Sequence, residues 1–173
     1  MKKLFKIIGI LAVIIGLLMS VGAAMRNFDD AGEASEYATE LNKGAAQLET
    51  LKEQNKMMDG PEKELMLQDI KNAEQAMKDV PTRNTLLIAG VLCGVLAILL
   101  VIIAVLLFKP SNKATIIMIS TIVVGVALVM ISPDPKGSMT SGASNRVLAI
   151  IAAVPAIVSA ICAYMFAKKS DAI

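Results

Sequence analysis

The residues of this chain best placed to bind something are four carboxylates, Asp29, Glu33, Glu36 and Glu40, spaced by four, three and four in the stretch FDDAGEASEYATEL. On a helix turning about 100° per residue they fall within about 60° of one another. Such a strip suits docking of a basic protein surface or attraction of a divalent cation, because like charges four apart repel slightly unless something compensates them. The same residues also fit a plain solvated face, with Asp29, Asp30 and Glu33 at the positive end of a helix that begins there. No loop carries the spaced carboxylates and turn glycine of an EF-hand.

A second group, Met57, Met58, Leu65, Met66 and Leu67, places soft thioethers and leucines on either side of MDGPEKE. Soft thioethers can take copper(I), but with no histidine or cysteine nearby a copper site is not expected. These side chains are therefore expected either to shield one another or to form an apolar contact with another subunit.

Other chemistry is excluded by what the sequence lacks. The 173 residues contain no histidine, which removes the usual haem ligand, the imidazole metal ligand and the commonest general base. No nucleophile sits in a recognisable constellation, and no glycine-rich phosphate loop follows a strand. Cys93 and Cys162 fall at depths that differ by roughly 10 Å at about 1.5 Å per helical residue, so a disulfide is not expected. We expect no enzyme, no cofactor, no metal and no nucleic-acid partner.

The elements that must position these residues follow from composition. Hydrophobic residues make up 55% of the chain and charged ones 18%, a balance that a soluble domain of this size could not hide from water. The apolar residues are gathered in four uncharged runs, 7–25, 86–108, 114–132 and 147–167. Each is long enough to cross a hydrocarbon layer of about 30 Å as a helix. The expected fold is an all-α integral membrane protein with four transmembrane helices and an extracytoplasmic helical hairpin between helices 1 and 2. Residues 1–25 form the first span, read as an uncleaved signal anchor because its apolar stretch exceeds the usual signal core. Residues 26–85 form the hairpin, and residues 86–173 the remaining spans with short loops.

Orientation follows from the lysines. With both termini cytoplasmic, the inner segments carry Lys2, Lys3, Lys6, Lys109, Lys113, Lys168 and Lys169 against Asp171, as the positive-inside rule expects. Segment 26–85, with eight basic and thirteen acidic residues, then lies outside with loop 133–146. Absence of glycosylation sequons fits a bacterial inner membrane.

Within segment 26–85, Ala34, Tyr37, Leu41, Gly44, Leu48, Leu51, Asn55 and Met58 recur at steps of three and four, a coiled-coil-like seam. Gly60 and Pro61 supply a stop and restart, and Met66, Ile70, Ala73, Met77 and Val80 form the answering seam. Inside the spans, small residues form ridges suited to close helix packing: Ala12, Gly16, Ser20 and Ala24; Gly90 and Gly94; Thr121 and Gly125; Ala152, Ala156 and Ala160. These are more ridges than one bundle obviously needs, so some are expected to face neighbouring subunits.

The function expected from these features is that of a non-catalytic accessory or scaffold subunit, packed in a larger membrane assembly and contacting extracytoplasmic partners through the hairpin. A homo-oligomeric channel lined by span one or three is the alternative. The expected partners are membrane lipid, other membrane subunits in a homo- or hetero-oligomer, and a basic extracytoplasmic protein.

Overall fold

The computed structural model describes residues 2–57, 60–78, 81–133 and 144–170, with side chains except those of 2, 35–41, 76–78 and 170. Every element among them is a helix: α1 (Lys2–Lys56), α2 (Pro61–Lys78), α3 (Arg83–Phe108), α4 (Ala114–Ile131) and α5 (Asn145–Ser170). Four stretches are long and apolar enough to cross a membrane: Lys3–Ala34 of α1, Arg83–Phe108, Ala114–Ile131 and Asn145–Lys169.

The first helix departs from expectation. No break separates a span from a following helix; α1 runs unbroken for 55 residues, about 82 Å at 1.5 Å per residue. The reason lies in its composition. No proline occurs before Pro61, and residues 26–56 are rich in Ala, Glu, Lys, Leu and Gln, so Gly32 and Gly44 weaken the helix without ending it. Asp29, Asp30 and Glu33 are consequently mid-helix residues, and the expected stabilisation by a helix N-terminus at that point does not exist.

The turn before α2 forms where the sequence expects it. Gly60 adopts φ +96°, a conformation that favours glycine, and its carbonyl accepts from Lys63 N at 3.2 Å. Pro61 takes the first helical position, and Glu62 and Glu64 oppose the positive helix end. Among the described residues, α2 packs against α1 and touches no other helix. Leu48, Leu51, Met66, Ile70 and Ala73 line the groove between them, with Leu48 and Ile70 buried.

The remaining helices are ended by local hydrogen bonds. Thr82 Oγ1 accepts from Thr85 N at 3.3 Å to cap α3, and Lys109 N donates to Val105 O at 2.8 Å just before Pro110. Ser132 N closes α4 by donating to Leu128 O at 2.9 Å, and Ser144 Oγ caps α5 by accepting from Val147 N at 3.3 Å.

These four stretches form a four-helix bundle in which α1 and α4 each pack on α3 and α5, α3 also meets α5 across the centre, and α1 does not reach α4. Gly9 lies against Leu107 and Cys162, and Gly16 against Leu100 and Ala156. As residue numbers rise along α1 they fall along both partners, so α1 is antiparallel to each. The axis is filled: Leu86, Leu96, Leu100, Ile103, Leu107 and Leu128 are fully buried. Cys93 and Cys162 are buried and unbridged, as expected.

Candidate functional site

The densest polar arrangement lies at the end of the bundle from which α1 continues toward α2. Asn27 is buried, in the turn where α1 leaves the bundle, and its Nδ2 donates to Ala23 O at 2.7 Å. Its Oδ1 accepts from Asn145 Nδ2 at 3.1 Å, and the same amide nitrogen donates to Asp30 Oδ2 at 3.0 Å. Arg26 Nε approaches that carboxylate oxygen at 3.9 Å, one helical turn away. Next to it, Arg146 Nε donates to Ser132 O at 3.2 Å, and Arg146 N donates to Pro133 O at 3.1 Å. The first turn of α5 is thereby fixed to α1 by Asn145 and to the end of α4 by Arg146.

Sequence reasoning missed this tie. Asn27, Asp30 and Asn145 flank the apolar runs, where a polar residue reads only as a span boundary; the available signal was that an amide stands at the matching end of both the first and last spans. The acidic row itself is not gathered into the tie. Asp29 and Glu33 are exposed, and the side chains of Glu36 and Glu40 lie outside the described residues. Among the described residues no group of three His, Cys, Asp or Glu side chains is placed to hold a metal ion.

At the α1–α2 turn, Met57 is 83% exposed and Leu65 66%, with Leu67 also exposed and Met66 half-buried. Met58 lies outside the described residues. Asn55 is buried in the seam, and its Oδ1 has no hydrogen-bond partner. Farther back, Lys52 Nζ lies 2.8 Å from Glu74 and 3.9 Å from Glu49. Its hydrogen bond to Glu74 raises the Lys52 pKa above the ordinary lysine value, partly opposed by desolvation.

The small-residue ridges turn inward. Ala12, Gly16, Ser20, Ala152, Ala156 and Ala160 are buried within this one chain, as are Thr121 and Gly125, and Ala24 is half-buried. The expectation that some ridges await neighbouring subunits loses its basis at these positions. Of the glycine pair on α3, Gly90 receives the ring of Phe28, whereas a Cβ on Gly94 would meet nothing within 4 Å. The two are one helical turn apart, and only one is a close contact.

Compared with models of protein families, with curated proteins and with solved structures, the chain matches none.

Proposed function

We propose that the chain is a non-catalytic subunit of a membrane assembly, anchored by its four-helix bundle and reaching partners outside the membrane through an antiparallel hairpin made of the distal part of α1 and α2. One observation carries this reading: α1 continues without interruption from an apolar bundle into a charged arm whose far end exposes Met57 and Leu65. An unbroken helix transmits position between bundle and tip, and exposed apolar side chains on a polar arm mark a contact surface. The tie at Asn27 holds α5 against α1 near the point where the arm leaves the bundle. The lysine distribution supports an inner-membrane orientation with both termini cytoplasmic, leaving the arm, its acidic face and the tip extracytoplasmic. Gly9, Gly16 and Ser20 lie in helix contacts, which supports retention of the first span as an anchor.

The channel alternative gains less support. The ridge of α1 that would line a pore is covered by α3 and α5, and the Thr121 hydroxyl is spent on Ile117 O at 2.8 Å. Gentle native extraction should yield the chain within a larger complex. Met57→Glu with Leu65→Glu should release it while leaving its helical content unchanged, and liposomes holding the pure chain should pass no ions. Cysteine at Gln54 should react with an impermeant reagent on intact cells, and cysteine at Ser111 should not. A monodisperse monomer whose tip variants behave like the parent would remove the assembly reading; ion conductance would favour the channel.

A further inference from the structure

The bundle end opposite the Asn27 tie is strongly basic. Lys3 and Lys6 at the start of α1, Lys109 and Lys113 between α3 and α4, and Lys168 and Lys169 at the end of α5 all converge there. No Asp or Glu occurs in residues 2–28 or 84–133, around Lys3, Lys6, Lys109 and Lys113, and in sequence Asp171 is the one acid close to Lys168 and Lys169. Two of these lysines are also positioned by aromatic rings. Lys6 Nζ stands 4.6 Å from the Phe108 ring centroid, bridging α1 to α3, and Lys169 Nζ stands 5.1 Å from that of Phe5, bridging α5 to α1. A ring face holds an ammonium in place without neutralising its charge.

What lies beside this basic rim identifies its occupant. Leu4, Ile7 and Leu11 on α1, and Val105 and Phe108 on α3, are exposed on the bundle wall adjoining it. A cationic rim above an exposed apolar wall matches a molecule with an anionic head and hydrocarbon chains. A soluble anion would leave the wall uncovered, and an acidic protein would need an apolar face of its own at bilayer depth. We propose that this end binds anionic phospholipids of the adjoining leaflet, with headgroup phosphates at the edge where Lys6 is held over Phe108 and Lys109 follows, and acyl chains along α1 and α3. Each lysine near an anionic surface adds to the attraction, and the effect falls off within a Debye length.

The inference rests on the membrane reading above, and one experiment separates the two. The full chain is reconstituted in nanodiscs of phosphatidylcholine alone or of equal parts phosphatidylcholine and phosphatidylglycerol. Thermal unfolding is followed in both, and retained lipid is counted by native mass spectrometry. The anionic lipid should raise Tm by roughly 4 °C or more, a scale set by the usual sensitivity of a chain this size. It should also be retained preferentially. Lys6→Gln with Lys109→Gln and Lys113→Gln should remove most of both effects, while Arg83→Gln at the other end should keep them. Inorganic phosphate added to phosphatidylcholine discs should do neither. Equal Tm and equal retention in the two compositions, full effects in the triple variant, or an equal rise with inorganic phosphate would each overturn the lipid site while leaving membrane insertion intact. Failure of the chain to enter either disc would overturn the membrane reading itself.

Discussion

Asn145 shares its side-chain amide between Asn27 Oδ1 at 3.1 Å and Asp30 Oδ2 at 3.0 Å, joining the first and last bundle helices across 118 positions of sequence. Two amides and a carboxylate at the edge of an otherwise apolar bundle have few alternative partners, so the contact selects one rotation and one depth for α5 against α1. Apolar packing alone is less selective, since apolar side chains of similar volume can exchange for one another at modest cost.

Asn145→Ala should therefore destabilise the chain by about 1–3 kcal/mol, the range for leaving buried polar partners unsatisfied. A cycle combining it with Asn27→Ala should return a coupling of about 0.5–1.5 kcal/mol, as for other contacting polar pairs. Reversible unfolding in detergent micelles measures both. Strictly additive losses would mean that the two amides act independently.

Ser20 gives the opposite expectation. It is fully buried in the bundle, and its Oγ has no hydrogen-bond partner. Removing a buried hydroxyl that bonds to nothing removes a desolvation cost, so Ser20→Ala should leave stability unchanged or raise it by up to about 1 kcal/mol. Ser20→Val adds volume where α1 meets its neighbours and should lower it by about 1–3 kcal/mol. A clear loss with alanine would show that the hydroxyl is used.

Much of this architecture was legible in the sequence, for reasons that the residues make plain. Four uncharged runs of near-spanning length leave little choice of element, and Gly60 followed by Pro61 marks where α1 gives way to α2. What was not legible depends on pairing across the fold. The expected helix start near Phe28 rested on acidic residues that resemble a helix N-terminus, yet nothing between Met25 and Phe28 breaks a helix, and the unbroken α1 follows. Small-residue spacing identified the ridges but could not say what they face. Gly90 and Gly94 look alike in sequence, and only the position of the Phe28 ring distinguishes them. Asn27 and Asn145 carry no recognisable spacing at all, because their relation exists only once α5 returns beside α1.

A similar contrast, between Gly16 in close contact and Gly94 facing open space, predicts unequal responses to substitution. A Cβ on Gly16 would lie 3.2 Å from Leu100 Cδ1 and 3.4 Å from Ala156 N, the latter a backbone atom that cannot move aside alone. Gly16→Leu should therefore disrupt the chain's own bundle and prevent folded extraction, rather than merely detach it from a complex. Gly94→Ala meets open space and should stabilise by about 0.5–1 kcal/mol through helix propensity. Size-exclusion profiles and melting curves of the two variants test the contrast; matching behaviour would contradict the packing described for α1.

The contact between α2 and α1 should be sensitive to high pH and to salt. Lys52 bonds Glu74 at 2.8 Å, and this hydrogen bond, the largest influence on the lysine, raises its pKa in the folded arm above the ordinary 10.5. A raised lysine pKa contributes stability that is fully present below the unfolded value and is lost as pH climbs through the folded one. Docking of α2 should thus be constant from neutral pH to about 10 and should weaken above it. Both side chains are more than a third exposed, so added salt should weaken the pair at neutral pH as well. Nitroxide labels at Ala46 and Gln75 would report the change as a broadened distance distribution. Glu74→Gln should remove most of the pH and salt response while the buried Leu48 and Ile70 still hold the helices together. If the distribution in the parent stays sharp through pH 12, the apolar seam alone positions α2 and the ion pair has no part in setting the arm.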